Sequence, residues 1–262
     1  MRRALIAKTG LCIACAFTVA FAGCITVVGD NLRGEAKRTD NVTAPVGDAS
    51  ALKVTTNVGA IKLDAAETAE VRITADITVK AKTDEEAQAL LDGVHVAAAP
   101  SGDTLVVKAD KPSGFGHNQL TVDLTISAPA GLRLECTTNV GDVRVSDFTS
   151  RVESHTDVGS ITCSGLRGGM SLHTNVGDIK AAYAPDAPAA LDVSASTNVG
   201  NIDFTGPSQV SANLTAASNV GDIHTHRPIT VSGSLGKTVR ASLGAAEGQV
   251  DLHTNVGSIT IR

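Results

Sequence analysis

The sequence predicts an all-β protein: a parallel β-solenoid, single-stranded and β-helix-like, with Asn-Val-Gly corners and one short helix near its N-terminal end. Three observations predict it. The tripeptide Asn-Val-Gly recurs along the chain. The residues around it alternate with a period of two. The 262 residues include 25 glycines but only 2% aromatics, with no Trp, one Tyr and five Phe. A thick globular core leans on buried rings. An interior of Val, Ile, Leu and Ala suits thin stacked layers instead.

In chain order, the first 23 residues read as an export leader. Arg2, Arg3 and Lys8 form a cationic start, and Leu11 to Ala22 is an apolar run of 12 residues. That run is too short to span a bilayer, which takes about 20 residues. The stretch Ala20-Phe21-Ala22-Gly23-Cys24 resembles the lipobox of bacterial lipoproteins, with Phe21 where Leu is usual. Cys24 is therefore the expected lipidation site, and the membrane the expected partner. Ile25 rather than Asp follows it, so in a Gram-negative cell the expected address is the outer membrane. Ordinary cleavage after Ala20-Phe21-Ala22 is the alternative, releasing a soluble secreted or periplasmic protein. Residues 24–49 are polar and poorly periodic and read as a tether, about 28 Å across if flexible.

The domain body is expected over residues 50–262, with an N-terminal part at 50–133 and a regular array at 134–262. Self-similarity is the signal to seek first. The corner residues are Asn57 and Gly59, Asn139 and Gly141, Asp157 and Gly159, Asn175 and Gly177, Asn198 and Gly200, Asn219 and Gly221, and Asn255 and Gly257. Five residues before each Asn (or Asp157) stand Leu52, Leu134, Val152, Met170, Val193, Leu214 and Val250. One before stands Thr, or Ser218; one after is always Val; four after is Ile, or Val143. Period-two alternation means strands with one buried face. The phase slips at the Gly, which takes positive φ without steric cost. Each repeat therefore reads as strand, corner, strand, loop. Copies stacked about 4.8 Å apart would place like residues in columns. The Val, Ile and Leu columns would form the core, with the Thr column facing inward and the Asn column bonded as an amide ladder.

Between 64 and 133 the repeat is interrupted. Val71 to Val79 alternates as a strand. Thr83-Asp84-Glu85-Glu86 is a capping box opening a helix over 84–91, stopped by Gly93, with Ala87, Leu90, Leu91 and Val94 as its apolar face. Strands follow near 94–98, 104–109 and 119–127. This part is expected to cover or extend one end of the stack. The spacing of 36 before Asn255 reads as two coils, with Ser234-Leu235-Gly236 and Ser242-Leu243-Gly244 as competing degenerate corners.

These residues resemble the bacterial DUF4097 family of adhesin-like β-strand-repeat proteins. The resemblance rests on the early copy Leu52 to Ile61, the D-E-E-A-x-x-L-L helix at 84–91, the Ala128-Pro129-Ala130-Gly131 turn before the array, and the terminal Leu252 to Ile259. It covers nearly all of residues 45–262. It implies a β-solenoid without known catalysis, and "adhesin" there is a name by analogy.

Candidate chemistry is sparse. His155, His173 and His253 each stand two before a corner residue, but a metal needs three or four ligands with a second shell. His224 and His226 alternate on one strand. Asp142, Ser160, Asp178, Asn201 and Asp222 form a row three after the corner, without the nonapeptide of calcium-binding β-rolls. No metal or cofactor is expected. Cys12 and Cys15 fall in the leader. Cys136 and Cys163 have inward parity and read as buried free thiols; pairing would require facing strands. Sequons stand at Asn41 and Asn213.

The formal charge is −5; without the leader's three cations, 19 Lys plus Arg face 27 Asp plus Glu, a balance of −8. That argues against nucleic acid. Glycoside hydrolysis wants paired carboxylates in a cleft and sugar-stacking rings, and this chain has no Trp. The reading is a non-catalytic, lipid-anchored envelope scaffold or binding surface, its protein or glycan ligand left open. Alternatives are a glycan-active β-helix enzyme or an envelope sensing and signalling accessory.

Overall fold

The computed structural model describes residues 34–111, 115, 118–226 and 237–262, with the backbone of residues 19–20. Cys24, the leader and the Ser234-Leu235-Gly236 segment lie outside the described residues. Among the described residues the chain is all-β with one helix, and its strands form two mixed sheets of eleven and ten strands. The central strands are parallel; antiparallel strands close both ends of the ten-stranded sheet and one end of the eleven-stranded one, whose other end strand, Ile223–Thr225, is parallel.

The architecture is a solenoid-like stack in which each coil crosses from one sheet to the other. In the coil of Asn139, Arg133–Val140 lies in the ten-stranded sheet and Val143–Ser146 in the eleven-stranded one. Its neighbours match it residue for residue. Leu134 pairs with Val152, Val152 with Met170, and Met170 with Val193. Across the corner, Val143 pairs with Ile161, Ile161 with Ile179, and Ile179 with Ile202. These rows are fully buried and fill the narrow space between the sheets, with Phe148 and Phe204 as the largest enclosed side chains. A one-residue slip would turn every row outward, so the columns hold the register.

The coils do not stack in chain order. The last coil, Gly248–Val256 with Ile259–Ile261, sits between the coils of Asn198 and Asn219. The spacing of 36 thus contains one coil and an edge strand, not two coils. Thr238–Leu243 runs antiparallel along Ala212–Ala217 and closes the ten-stranded sheet at that end. Ser242-Leu243-Gly244 ends this edge strand and is no corner. The inserted coil finds matched rows on both sides, Val250 between Val193 and Leu214 and Ile259 between Ile202 and Ile223, so both edges of its backbone are satisfied.

At the other end, Thr104–Asp110 pairs in parallel with Ala51–Val58, and His95–Ser101 folds back antiparallel outside it. In the second sheet Gln119–Pro129 pairs in parallel with Ile61–Ala66. Glu70–Ala81 and then Gly34–Pro45 follow antiparallel. Gly34–Pro45 corrects the tether expected over 24–49. It is a twelve-residue strand whose inward positions include Ala36, Asp40, Val42 and Ala44. Two alanines and a charged residue are too weak an apolar signal to read as a buried strand face.

The helix Asp84–Asp92 lies against these two outer strands. Thr83 caps it, its Oγ1 accepting from the Glu86 amide at 3.2 Å, and the Gly93 amide donates to Leu90 at 3.1 Å. Ala87 and Leu91 are buried, Leu90 only partly. Arg38 fastens the helix's last turn. Its guanidinium donates to the Leu91 carbonyl at 3.1 Å and the Val94 carbonyl at 2.6 Å, and pairs with both oxygens of Asp40 at 2.7 and 2.8 Å.

Candidate functional site

Three kinds of interaction between neighbouring coils build the corners. First, the inward Thr hydroxyl donates to a neighbouring glycine carbonyl. Thr156 reaches Gly141 at 3.0 Å, Thr174 reaches Gly159 at 2.9 Å and Thr197 reaches Gly177 at 3.0 Å. This satisfies a buried hydroxyl and a corner carbonyl together. Second, the glycines pack directly on one another. A Cβ at Gly177 would lie 2.0 Å from the Gly159 oxygen, and φ there is +151°. Gly141, Gly159, Gly200 and Gly257 meet the preceding glycine in the same way, and Gly221 meets Gly257. No side chain fits that space.

Third, the corner side chains bond along the stack. Asn219 donates to Asn255 at 2.8 Å, Asn255 to Asn198 at 2.9 Å, Asn198 to Asn175 at 3.0 Å and Asn175 to Asp157 at 2.9 Å. Separately, Asn139 donates to Asn57 at 2.7 Å. The ladder breaks at Asp157 because an ionised carboxylate has no proton to donate. Three residues after several of the corner residues, side-chain oxygens accept from a neighbouring coil's amides. Asp142 accepts from Ser160 at 3.0 Å, Asp178 from Asn201 at 2.8 Å and Asn201 from Ser258 at 2.9 Å. These acidic residues are therefore engaged in holding the corner.

The Val column corrects an expectation. Val58, Val140, Val158, Val176, Val199, Val256 and Val220 lie outside, between 37% and 62% exposed. They are in register with one another. Among the described residues they are the exposed large hydrophobic side chains. The phase slip falls at Asn-Val, one step before the Gly. At a bend the convex side has no core behind it, and the concave side is occupied by the neighbouring glycine carbonyl. Asn and Val therefore both point out. Together they form one continuous row of exposed apolar side chains along the stack.

One coil lacks the corner. Leu105 pairs with Leu52 and Leu124 with Ile61, so the segment 104–129 stacks as a further coil beyond that of Asn57. Between its two strands the chain carries no Asn-Val-Gly. In place of a stacked glycine, the Val122 carbonyl lies where a Cβ of Gly59 would be, 2.0 Å away. A cavity of about 780 Å³ opens there, beside Asn57 and Val58. The sequence reading found both strands but not the cavity. The missing tripeptide between two in-register strands was the available signal.

The remaining candidates make local contacts. The His155 and His173 rings stack with centroids 5.1 Å apart, His155 Nε2 faces Asp157 at 3.3 Å, and His173 Nδ1 meets Ser196 at 2.7 Å. Among the described residues no three His, Cys, Asp or Glu side chains gather as a metal site. Cys136 and Cys163 are free and buried, and burial pushes the Cys163 thiol up to about 12 and Cys136 also upward. Buried Tyr183 is likewise raised, chiefly by desolvation, and its hydroxyl has no partner among the described residues. No described helix is long and apolar enough to cross a membrane.

Fold and surface together define an all-β, solenoid-like repeat protein that presents an ordered strip of corner valines. The chain belongs to the DUF4097 (Toastrack) family, whose model matches residues 94–262. Among solved structures it is similar to a candidate cell-adhesion protein of Clostridium sporogenes, 12% identical, covering 86% of this chain and 98% of that one, with a TM-score of 0.47. A candidate adhesin of Bacteroides fragilis is 16% identical over 86% of this chain and 97% of that one, with a TM-score of 0.37. A candidate lipid-binding protein of Parabacteroides distasonis is 10% identical over 86% and 96%, with a TM-score of 0.28. No curated protein matches the sequence.

Proposed function

We propose that this is a non-catalytic envelope protein held by lipid on Cys24. It is a parallel β-solenoid whose Asn-Val-Gly corners form an adhesin-like recognition edge. One observation carries the reading: the exposed large apolar side chains described are seven valines in a single row. Buried valine is the norm, and a register-locked strip of exposed ones is a contact surface in waiting. Methyl groups offer nothing to sugar hydroxyls, and four of the Asn amides beside them donate along the ladder. The strip therefore favours an extended protein partner over a glycan. The cavity adds no catalytic pair, because no carboxylate among the described residues lines it.

A photo-crosslinking residue placed at Val176 should give discrete adducts in intact envelopes, and the same residue at Lys180 should not. Equal labelling at both positions would refute a corner surface. Palmitate incorporation should vanish in Cys24→Ala; membrane retention of a chain that never took label would refute the anchor.

A further inference from the structure

We infer that the cavity beside Asn57 is a binding site for a small monocarboxylate with an apolar body. The site adjoins the valine strip at Val58, and the inference does not depend on the anchor or the partner proposed above. Three observations carry it. The cavity holds about 780 Å³, within the usual range for small-molecule sites. Its apolar wall is Val58, Phe115, Leu120 and Val122. Phe115 is one of only five phenylalanines in the chain and is 6% exposed.

The polar wall is mixed: Asn118 spends its amide nitrogen on Glu86 at 3.2 Å, while Asn57 and Lys111 keep donors without a described partner. Asn57 accepts from Asn139 through its oxygen, so its amide nitrogen faces away from the ladder and toward the cavity. It is the last donor of this stretch of ladder, and no described residue accepts from it. Lys111 also lines the cavity, and no described carboxylate pairs with it. The nearest acids in sequence are engaged elsewhere: Asp110 with Lys108 at 3.0 Å, and Asp123 with the Ala60 amide at 2.7 Å. One ammonium and one amide NH₂ match the two oxygens and single charge of a carboxylate. A phosphate dianion would leave a negative charge uncompensated. The ligand's chain would lie against Leu120 and Phe115, where in every other coil a corner fills the space.

The test uses the full chain carrying Cys24→Ala, prepared without detergent, and calorimetric titration with octanoate, decanoate and dodecanoate. Decanol serves as the uncharged probe. Saturable one-to-one carboxylate binding, tightening with chain length, is expected. Asn57→Asp keeps the oxygen that accepts from Asn139 but turns the cavity-facing donor into an anion. It should weaken decanoate by about 100-fold while leaving the melting temperature unchanged. Lys111→Met should weaken decanoate by about tenfold and decanol hardly at all. Leu120→Trp should block both probes. Absence of saturable binding up to about 1 mM, a Kd equivalent to only about −4 kcal/mol, would overturn the proposal. So would decanol binding as tightly as decanoate, or decanoate affinity insensitive to both Asn57→Asp and Lys111→Met.

Discussion

Gly177→Ala tests the corner directly. The added methyl would sit 2.0 Å from the Gly159 oxygen and 2.5 Å from its carbon, both backbone atoms that cannot swing aside. The backbone is also at φ +151°, where an L side chain is strained by about 1–3 kcal/mol. Relieving the contact requires the coils to separate locally. That endangers the Thr174 bond to the same Gly159 oxygen, and an unsatisfied buried hydroxyl costs about 1–3 kcal/mol. The sum is about 2–6 kcal/mol, a large part of the roughly 5–15 kcal/mol that holds a domain together. Gly102→Ala is the control. Its φ is +63° and nothing lies within 4 Å of a Cβ, so only the left-handed strain of about 1–2 kcal/mol remains. Urea denaturation followed by far-UV circular dichroism measures both. Because stacked coils can unfold in parts, amide exchange at Ile161 and Ile179, which bond across this corner to Asp178 and Asn201, localises the damage. If Gly177→Ala cost no more than Gly102→Ala, the close approach of glycine to carbonyl would not be what sets the corner.

Ile179→Asp should collapse the stack, since it buries an unpaired charge between Ile161 and Ile202; Lys180→Glu next to it should change stability by less than about 0.5 kcal/mol. Equal melting temperatures would refute the inward parity. Arg38→Ala leaves Asp40 buried and frees two carbonyls at the helix end, so a loss of about 3–5 kcal/mol is expected, partly restored in the double variant with Asp40→Ala. No restoration would mean that the helix contacts dominate. Burial raises the Cys163 thiol to about 12 against an ordinary value near 8.5, so the folded state keeps a proton that the unfolded state loses. Stability should be full below about pH 8.5 and fall toward pH 12, by up to about 1.4 kcal/mol per pH unit for this thiol, and Cys163→Ala should flatten the slope. An alkaline slope unchanged by Cys163→Ala would refute that. Asp157→Asn supplies the missing donor toward Asn139 and gives up only an exposed contact with His155. A gain of about 0.5–1 kcal/mol in urea denaturation is expected, and a loss would show that the break in the ladder is not a weak point.

The strands of the array, the helix and its cap, and the inward Thr column were legible because each leaves a local pattern. Leu134, Val152 and Met170 announce their row by type alone. The valine column was misplaced because parity assumes an extended strand up to the glycine, whereas the bend begins one residue sooner. Gly34–Pro45 was hidden because Ala36, Ala44 and the Arg38–Asp40 pair occupy positions that usually carry Val or Ile. The insertion of the last coil is a choice among edges that offer the same row, and no single repeat encodes which edge it will take. The cavity was illegible for a related reason: it is defined by a corner that is absent.

That absence is tolerated because a coil's register is fixed from both sides of the corner. In the segment 104–129 the Leu105 row holds one strand and the Leu124 row the other, so the connection between them can change without moving either. A stack of this kind separates its two tasks. The rows between the sheets specify the fold, and the corner column carries whatever a coil presents outside. Replacing one corner removes a glycine approach and an Asn rung and leaves a terminal amide donor beside apolar wall. A substitution in the Leu52 or Ile61 rows should therefore damage both stability and the cavity, whereas substitutions at Lys111 or Leu120 should alter the cavity and leave the stack intact.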